Sequence, residues 1–213
     1  YRTMFQGTFY RRFVLGEWVA AEGLVYDFFD ESFVRPAPEG LEEWCISCDY
    51  GTVNPTSMGL WGRKDGVWYR TAEFYYDARK RHRQKTDEEY ADALAELAGG
   101  RDIRAVIVDP AAASFIETLR RRGWRVRRAD NRVLSGIRLT ARLLKAGKLV
   151  ICPGCGDAIR EFALYRWEEQ GDGQDRVRKE NDHAMDEIRY FAATVAEGKG
   201  GGVYAGCVER GRF

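Results

Sequence analysis

Two short apolar runs that each end in an aspartate constrain the fold of this chain more than any other feature of its sequence. The first covers residues 44–50 and carries Asp49 near its end, and the second covers residues 104–109 and ends in Asp109. Runs of this length and composition predict buried β-strands. Polar groups at strand ends of α/β sheets commonly line a ligand crevice. If the two strands are neighbours, the carboxylates converge and repel each other unless a proton or a cation lies between them.

The rest of the pattern predicts an α/β domain. Residues 57–63 and 67–76 are strand-like runs on either side of an Asp-Gly pair, which favours a hairpin. Thr86 and Glu89 form a capping-box pattern that predicts the start of a helix, and Gly99 predicts its end. Helix and strand patterns then alternate, which is typical of a mixed sheet with helices on its faces. The further predicted helices are 113–122, 133–146, 157–167 and 181–196, and the further strands are 124–128 and 149–152.

The length of 213 residues allows one domain with a substantial core. Residues 1–40 are rich in aromatic side chains without a clean period, and we interpret them as a lead-in segment that packs on the main domain, residues 41–197. The Gly-rich residues 198–213 predict a flexible tail. No run is long and apolar enough to cross a bilayer, and the N-terminus has no secretory signal. The first residue is Tyr1, so we expect a fragment of a longer protein.

The formal net charge of +1 conceals two basic clusters, one just after the hairpin and one between residues 120 and 148. Such clusters suit a polyanion, because each phosphate contact releases condensed counterions. The alternative is a solvated helix face that acidic residues elsewhere balance, and charge alone leaves both interpretations open. The residues that we expect to contact nucleic acid are Arg79, Lys80, Arg81, Arg83, Lys85, Arg128 and Arg132.

The five cysteines, an odd number without a secretory signal, favour reduced intracellular thiols. Cys152 and Cys155 have the spacing of half a zinc site. Cys45 and Cys48 supply the other half only if they leave their strand, where residues three apart point to opposite faces. A zinc site of four thiolates and separate packing or turn roles both stay open.

A third group of candidate ligands lies near the C-terminal end of the predicted domain. Asp182, His183 and Asp186 are three and four residues apart, so one face of a helix presents all three. Oxygen-rich ligand sets suit Mg²⁺ or Mn²⁺. The alternative is that the two acids stabilise the start of the helix through its macrodipole. The sequence has neither a Gly-x-x-x-x-Gly-Lys-Ser/Thr phosphate loop nor a Gly-x-Ser-x-Gly elbow, which argues against ATP hydrolysis by that route and against a serine hydrolase.

Several short motifs occur in an order that spans nearly the whole chain. They are residues 10–19 (YRRFVLGEWV) with 22–26 (EGLVY), 49–51 (DYG) with 54–56 (NPT), 85–86 (KT), 108–110 (VDP), Tyr165 with Trp167, and 182–186 (DHAMD) with 189–190 (RY). In this order they resemble the C-terminal nuclease domain of the large terminase subunit of tailed bacteriophages. That subunit cuts concatemeric viral DNA and pumps it into the capsid.

The resemblance implies an RNase H-like fold, which is a mixed five-stranded sheet flanked by helices. It also implies that Asp49, Asp109 and Asp186 are catalytic, metal-binding carboxylates, with His183 as a further metal ligand and Asp182 nearby. The implied cofactors are two divalent cations, Mg²⁺ or Mn²⁺, and the implied chemistry is two-metal phosphodiester hydrolysis. In this scheme Asp49 bridges both ions, Asp109 holds one, and Asp186 with His183 holds the other.

The implied substrate is concatemeric viral double-stranded DNA, cut with little sequence preference to leave 3′-hydroxyl and 5′-phosphate ends. The implied partners are an N-terminal ATPase motor that is absent from this chain, the portal and the small terminase subunit, acting in the host cell cytoplasm without a membrane. Two alternatives stay open. One is a Holliday-junction-resolvase-like nuclease, which should prefer branched DNA, and the other is a non-catalytic DNA-clamp or docking module whose acids are structural.

Overall fold

A mixed sheet forms the centre of the computed structural model, which describes residues 23–168 and 176–196. Its strands are β1 (Glu43–Asp49), β2 (Thr56–Lys64), β3 (Val67–Tyr76), β4 (Ile103–Val108), β5 (Val126–Arg128) and β6 (Leu149–Ile151). They lie in the order β5-β4-β1-β2-β3-β6. The central strand β2 is antiparallel to both of its neighbours, and all other neighbouring pairs are parallel.

Helices cover both faces of this sheet. They are α1 (Ala78–Arg81), α2 (Asp87–Ala98), α3 (Ala113–Arg121), α4 (Val133–Lys145), α5 (Gly156–Phe162) and α6 (His183–Phe191). Ala192–Ala196 continue from α6 as a π-helical turn. Because side chains alternate along a strand, Cys45 packs in a core with α4, α5 and α6, and Ile46 packs in a second core with α2 and α3.

Local turn and cap chemistry follows the sequence pattern. Asp65 and Gly66 join β2 to β3 with φ angles of 50° and 76°. Two left-handed residues match the twist of a two-residue hairpin, so this prediction is confirmed. The capping box of α2 is also confirmed, since Glu89 N–H donates to Thr86 Oγ1 at 3.2 Å and Thr86 N–H donates to Glu89 Oε2 at 2.9 Å. Gly99 ends this helix with a φ of 55°.

The parallel pairing of β1 with β4 brings the two predicted acids together. Cys48 of β1 pairs with Val108 of β4. Asp49 and Asp109 follow directly on these adjacent strands, at the same edge of the sheet. The strands β3 and β5 also end at this edge, because they run parallel to β1 and β4. We call it the carboxyl edge.

The described cysteines are buried and free. Cys45 and Cys48 lie in the cores on opposite faces of the sheet, so they cannot converge on one ion. The Cys155 thiol donates to the carbonyl oxygen of Arg70 at 3.0 Å. The four-thiolate zinc site is therefore wrong, and these thiols fill packing positions.

Two details differ from the predictions. The resemblance implied five strands, whereas the described residues form six, because β6 adds parallel to β3. The helix predicted for residues 157–167 ends at Phe162. The chain leaves the helix there because Arg166 bridges to Leu24, and Trp167 bridges to Val177.

The N-terminal part of the predicted lead-in, residues 1–22, and the predicted tail, residues 198–213, lie outside the described residues. So do the motif at residues 10–19 and Cys207. Within the two described ranges, no helix combines the length and apolar character that crossing a membrane requires.

Candidate metal centre

An open cleft lies at the carboxyl edge, between the ends of β1 and β4 and the first turns of α6. Its volume is about 360 Å³. The residues that line it are Asp49, Tyr50, Gly51, Asn54, Asp109, Lys179, Asp182, His183, Asp186 and Tyr190. The structure thus places in one cleft every residue that the resemblance implied as catalytic or metal-binding.

The loop that follows Asp49 is tight because residue 51 is a glycine. A Cβ on Gly51 would lie 2.5 Å from the carbonyl oxygen of Asn54 and 2.9 Å from that of Pro55. Thr56 Oγ1 closes the loop, since it accepts from Gly51 N–H at 3.1 Å and donates to Gly51 O at 2.8 Å. The wall of the cleft beside Asp49 is therefore built from closely approaching backbone.

The carboxylate of Asp49 is held by His183. The distance from His183 Nδ1 to Asp49 Oδ2 is 2.9 Å, and the two side chains are 18% and 16% exposed. Burial raises the pKa of Asp49 to about 6, with further contributions from the charges of Asp186 and Asp182, while the hydrogen bond with His183 opposes the rise. Burial alone would lower the pKa of His183, but the hydrogen bond and charge of Asp49 raise it above its ordinary value.

Both oxygens of Asp109 accept a hydrogen bond from the protein. Tyr190 OH donates to Oδ2 at 2.7 Å, and Ala111 N–H donates to Oδ1 at 2.8 Å. Burial, followed by the charges of Asp49 and Asp186, raises the pKa of Tyr190 far above its ordinary value. The phenol therefore keeps its proton and remains a donor to Asp109.

Arg189 supports Asp186 from behind the cleft. Its Nη2 lies 2.8 Å from Asp186 Oδ1, and its Nη1 donates to the carbonyl oxygen of Asn131 at 2.7 Å. Arg189 is only 2% exposed. Gly136 of α4 makes room for it, because a Cβ there would lie 2.5 Å from Arg189 Cγ and 2.8 Å from Cδ. The position of Asp186 thus depends on close packing between α4 and α6.

Lys179 is a basic side chain that lines the cleft. Its Nζ lies 3.6 Å from Asp182 Oδ2 and 3.6 Å from Asp186 Oδ2. Asp182 occupies the cap position of α6, yet its side chain makes no capping hydrogen bond. Its carboxylate faces the cleft instead. Burial and the charge of Asp186 raise the pKa of Asp182.

The chemistry of these donors fits a hard divalent cation. In the described ranges, no group of three or more His, Cys, Asp and Glu side chains is arranged to hold an ion as the side chains stand. Tyr190 and Arg189 each engage one oxygen of Asp109 and Asp186, and the remaining lone pairs of these carboxylates are available to an ion once the side chains shift. Burial and mutual repulsion raise the pKa of Asp49, and a divalent cation removes that electrostatic cost.

Comparison with known proteins identifies the family. No family model and no curated protein matches the chain. The large terminase of a thermophilic bacteriophage, solved in complex with ADP, is 44% identical to it with a TM-score of 0.88. This alignment covers 93% of the present chain and 51% of the chain of that relative. The chain belongs to the large terminase family. It spans about half the length of this ADP-bound relative.

Two further solved large terminases show which part of the family's architecture is present. The nuclease domain of the P22 large terminase is 18% identical, with a TM-score of 0.66 over 82% of this chain and 93% of that chain. The large terminase nuclease of thermophilic phage G20c, solved with bound magnesium, is 13% identical, with a TM-score of 0.62 over 80% and 97% of the two chains. The present fold is therefore that of a large terminase nuclease domain, and the expected RNase H-like α/β class is confirmed.

Basic residues flank the cleft of this terminase domain on both sides. Four exposed ones follow β3 at the carboxyl edge: Arg79, Lys80, Arg81 and Arg83. Arg79 Nη2 donates to Asn54 Oδ1 at 3.0 Å, and Asn54 lines the cleft. On the other side, Arg128 ends β5 and Arg132 precedes α4, and both are exposed. The basic segments predicted from sequence therefore lie at the same edge as the acids.

Some of these basic residues, and others of the terminase domain, are engaged with neighbouring side chains. Lys85 Nζ lies 5.0 Å from the centre of the Tyr76 ring, and Arg83 pairs with Glu89. Within the basic stretch from residue 120 to 148, several arginines pair with acids: Arg121 and Arg122 with Glu88, Arg122 with Asp92, and Arg125 with Asp102. For these arginines, the alternative of a face balanced by acidic residues is what the structure shows.

A buried ion pair, which sequence reasoning did not find, lies behind the cleft. Arg70 Nη2 and Nε donate to Glu187 Oε2 at 2.7 and 3.0 Å. Glu187 Oε1 accepts from the Ser47 hydroxyl and, at 3.1 Å, from Trp61 Nε1. A Cβ on Gly59 would lie 2.5 Å from Glu187 Oε1, so only glycine leaves room for the pair. The sequence signal was the spacing of Glu187, four residues before Phe191, which puts a charged and an apolar residue on the same face of a helix.

Sequence reasoning also gave no role to Lys179, Arg189 or Tyr190. Arg189 and Tyr190 belong to a motif that carried the resemblance, but without an assigned function. The spacing of Arg189, three residues after Asp186 on a helix, was the available signal for an ion pair. No spacing within the sequence connects Tyr190 to Asp109, because that contact joins α6 to β4.

Proposed function

We propose that this domain is a metal-dependent endonuclease that cuts concatemeric viral double-stranded DNA during genome packaging. The carrying observation is the convergence of Asp49, Asp109, Asp186 and His183 in one open cleft of a large terminase nuclease fold. The G20c nuclease has been solved with bound magnesium and with bound cobalt, which supports a divalent-cation centre in this fold.

Two divalent cations, Mg²⁺ or Mn²⁺, are the proposed cofactors. Asp49 would serve both ions, Asp109 would hold one, and Asp186 with His183 would hold the other. Because His183 Nδ1 bonds to Asp49, its Nε2, 3.8 Å from Asp182 Oδ1, is the ring nitrogen left for ligation. When bound, the ions lower the pKa of a water so that it becomes a nucleophile, and they stabilise the departing oxygen.

The remaining side chains of the cleft orient these ligands. Tyr190 donates to Asp109 from a phenol that stays protonated, so it fixes the carboxylate without competing for the proton of the attacking water. Arg189 fixes Asp186 from the buried side, which leaves the other carboxylate oxygen towards the cleft.

The flanking basic residues are the proposed binding site for the DNA substrate. Along the carboxyl edge, the strand order puts Arg128 of β5 before Asp109 and Asp49, and Arg79 beyond them after β3. A duplex that lies along this edge therefore meets phosphate-binding side chains on both sides of the acids. Phosphate contacts position a duplex without reading its bases, so we expect little sequence preference.

In the whole protein, we expect this nuclease activity to serve DNA packaging. The relative that is 44% identical to this chain was solved in complex with ADP, and the present chain spans about half of it. This ADP complex supports our proposal of an ATPase motor N-terminal to this domain. From the family resemblance, we also propose the portal and the small terminase subunit as partners in the host cell cytoplasm.

The test is plasmid cleavage with Mn²⁺, Mg²⁺ or EDTA by the wild-type domain and by Asp49→Asn and Asp186→Asn. We expect nicking and linearisation that require the metal and that fall by more than about 100-fold in both variants, because each removes a proposed ligand. The Arg79→Ala variant should weaken DNA binding several-fold, whereas Arg122→Ala, which removes an arginine that acidic residues balance, is the matched control and should not.

The outcomes separate the alternatives. Cleavage that survives both aspartate substitutions contradicts the assigned residues. A wild-type domain that binds DNA but never cuts it, alone or joined to its motor, favours the DNA-clamp module. A strong preference for branched over linear DNA favours the resolvase-like nuclease.

A further inference from the structure

Helix α6, which carries two of the four proposed metal ligands, is capped by another helix. Ala184 N–H donates to Glu161 Oε2 of α5 at 2.7 Å. The first amide groups of a helix need such an acceptor, and the residue at the cap position usually supplies it. Here the cap residue Asp182 makes no capping bond, and Glu161, which is 0% exposed, takes its place.

Helix α5 also holds the chain on the other side of the cap. Arg160 Nη1 donates to Asn181 Oδ1 at 3.1 Å. Asn181 adopts a φ of 51°, a left-handed conformation that asparagine tolerates better than most residues. Asp182 and His183 thus lie between two contacts with α5, one to Asn181 and one to Ala184.

The second oxygen of Glu161 fixes its own position. Tyr75 OH of β3 donates to Glu161 Oε1 at 2.7 Å. The N-terminus of α5 is fixed to the same strand, because Glu73 accepts from Asp157 N–H at 2.6 Å and from Ala158 N–H at 3.2 Å. The capping carboxylate is therefore anchored to the sheet that also carries Asp49.

We propose that Glu161 is a positioning residue of the metal centre: by capping α6 from α5, it leaves the Asp182 carboxylate facing the cleft and holds His183 against Asp49. This inference rests on the proposed function. If the Asp182 carboxylate bonded to the N2 or N3 amide as an ordinary cap, it would turn towards the end of α6 and away from the cleft. Glu161 removes this conflict, because the cap and the ligands come from different helices.

The test measures binding of Mn²⁺ alone by calorimetry, together with plasmid cleavage, DNA binding in EDTA and the Tm. The breaking variant is Glu161→Met, which keeps the side-chain volume and removes both acceptors. The rescue variant is Glu161→Gln, whose carbonyl oxygen still accepts from Ala184 N–H. The stability control is Thr86→Ala, which removes the side-chain cap of α2 in a part of the domain that does not line the cleft.

Glu161→Met should weaken Mn²⁺ binding by about 10- to 100-fold, as removal of a group behind metal ligands does elsewhere, and should lower cleavage in parallel. Glu161→Gln should stay within about threefold of wild type, because one acceptor is enough to cap the helix. Thr86→Ala should lower the Tm by about 2–8 °C and leave Mn²⁺ affinity unchanged. DNA binding in EDTA should be the same in all of them.

A Glu161→Met variant that is less stable but binds Mn²⁺ like wild type overturns the inference and leaves the proposed function intact. A wild-type domain that binds no divalent cation overturns both. If Glu161→Met does not fold, Glu161→Asp replaces it, since the shorter side chain keeps the charge but withdraws the acceptor. The same loss of Mn²⁺ affinity is then expected, and wild-type affinity overturns the inference.

Discussion

Helix α6 carries two neighbouring acids whose surroundings are opposite. Asp186 faces the open cleft, where Asp49 and Asp182 raise the local negative charge. Glu187 points into the sheet, where the Ser47 hydroxyl, Trp61 and Arg70 donate to its two oxygens. One residue along the helix thus separates a carboxylate in a crowded acidic cleft from one whose charge is compensated.

The difference shows that one side of α6 stabilises the fold, whereas the other side carries proposed metal ligands. A buried charge is tolerated only when a partner and hydrogen bonds replace its water, and Glu187 meets both conditions. The cleft acids meet them only in part, because four carboxylates share Arg189, His183 and the exposed Lys179, so a cation would complete the compensation of their charge. The buried pair holds α6 on the sheet, and the cleft side of the same helix is left with unbalanced charge for a ligand.

The largest loss of stability should come from removing Arg70, the cation that pairs with Glu187. Arg70→Met leaves Glu187 and Glu73 as buried carboxylates without their shared cation, and we expect it to lower the free energy of unfolding by about 3–5 kcal/mol. Urea unfolding in EDTA measures this. The control is the double variant Arg70→Met with Glu187→Met, which should be less destabilised than Arg70→Met alone. A loss below about 1 kcal/mol in Arg70→Met would show that the pair does not stabilise α6.

An intermediate loss of stability should come from disturbing the packing of α4 against Arg189, which supports Asp186. Gly136→Ala drives a Cβ into the side chain of Arg189, and overpacking of this kind typically lowers the free energy of unfolding by about 1–3 kcal/mol. Because Arg189 supports Asp186, Mn²⁺ binding and cleavage should fall as well.

Gly156→Ala is the matched control for Gly136→Ala. A Cβ on Gly156, the first residue of α5, meets nothing within 4 Å. It should therefore leave both stability and Mn²⁺ affinity close to wild type. Equal behaviour of the two alanine variants in urea unfolding and Mn²⁺ titration would contradict the role of Arg189 behind Asp186.

The sequence predicts the features that depend on neighbouring residues, and it misses those that depend on contacts between residues far apart in the chain. The strands that carry Asp49 and Asp109, the hairpin and the capping box of α2 depend on local pattern, and all were predicted. The end of α5 at Phe162 was missed, because bridges to distant residues decide it. The contacts from Tyr190 to Asp109 and from Glu161 to Ala184 were missed for the same reason, since each joins two elements whose packing no periodicity encodes.

The smallest loss of stability should come from removing Lys179, the exposed cation that pairs with the cleft acids. Lys179 pairs with Asp182 and Asp186 as Arg70 pairs with Glu187. However, the Lys179 side chain is 68% exposed, and its Nζ lies 3.6 Å from the nearest oxygen of each acid. Water and salt screen such a pair, so Lys179→Met should lower the free energy of unfolding by less than about 1 kcal/mol in EDTA at low salt. At 1 M NaCl, where the Debye length falls to about 3 Å, the difference from wild type should vanish. Urea unfolding of Lys179→Met and Arg70→Met at both salt concentrations makes the comparison directly. A loss for Lys179→Met as large and as insensitive to salt as that for Arg70→Met would mean that the cleft charges are compensated as fully as the buried ones. The contrast between the two sides of α6 would then fail.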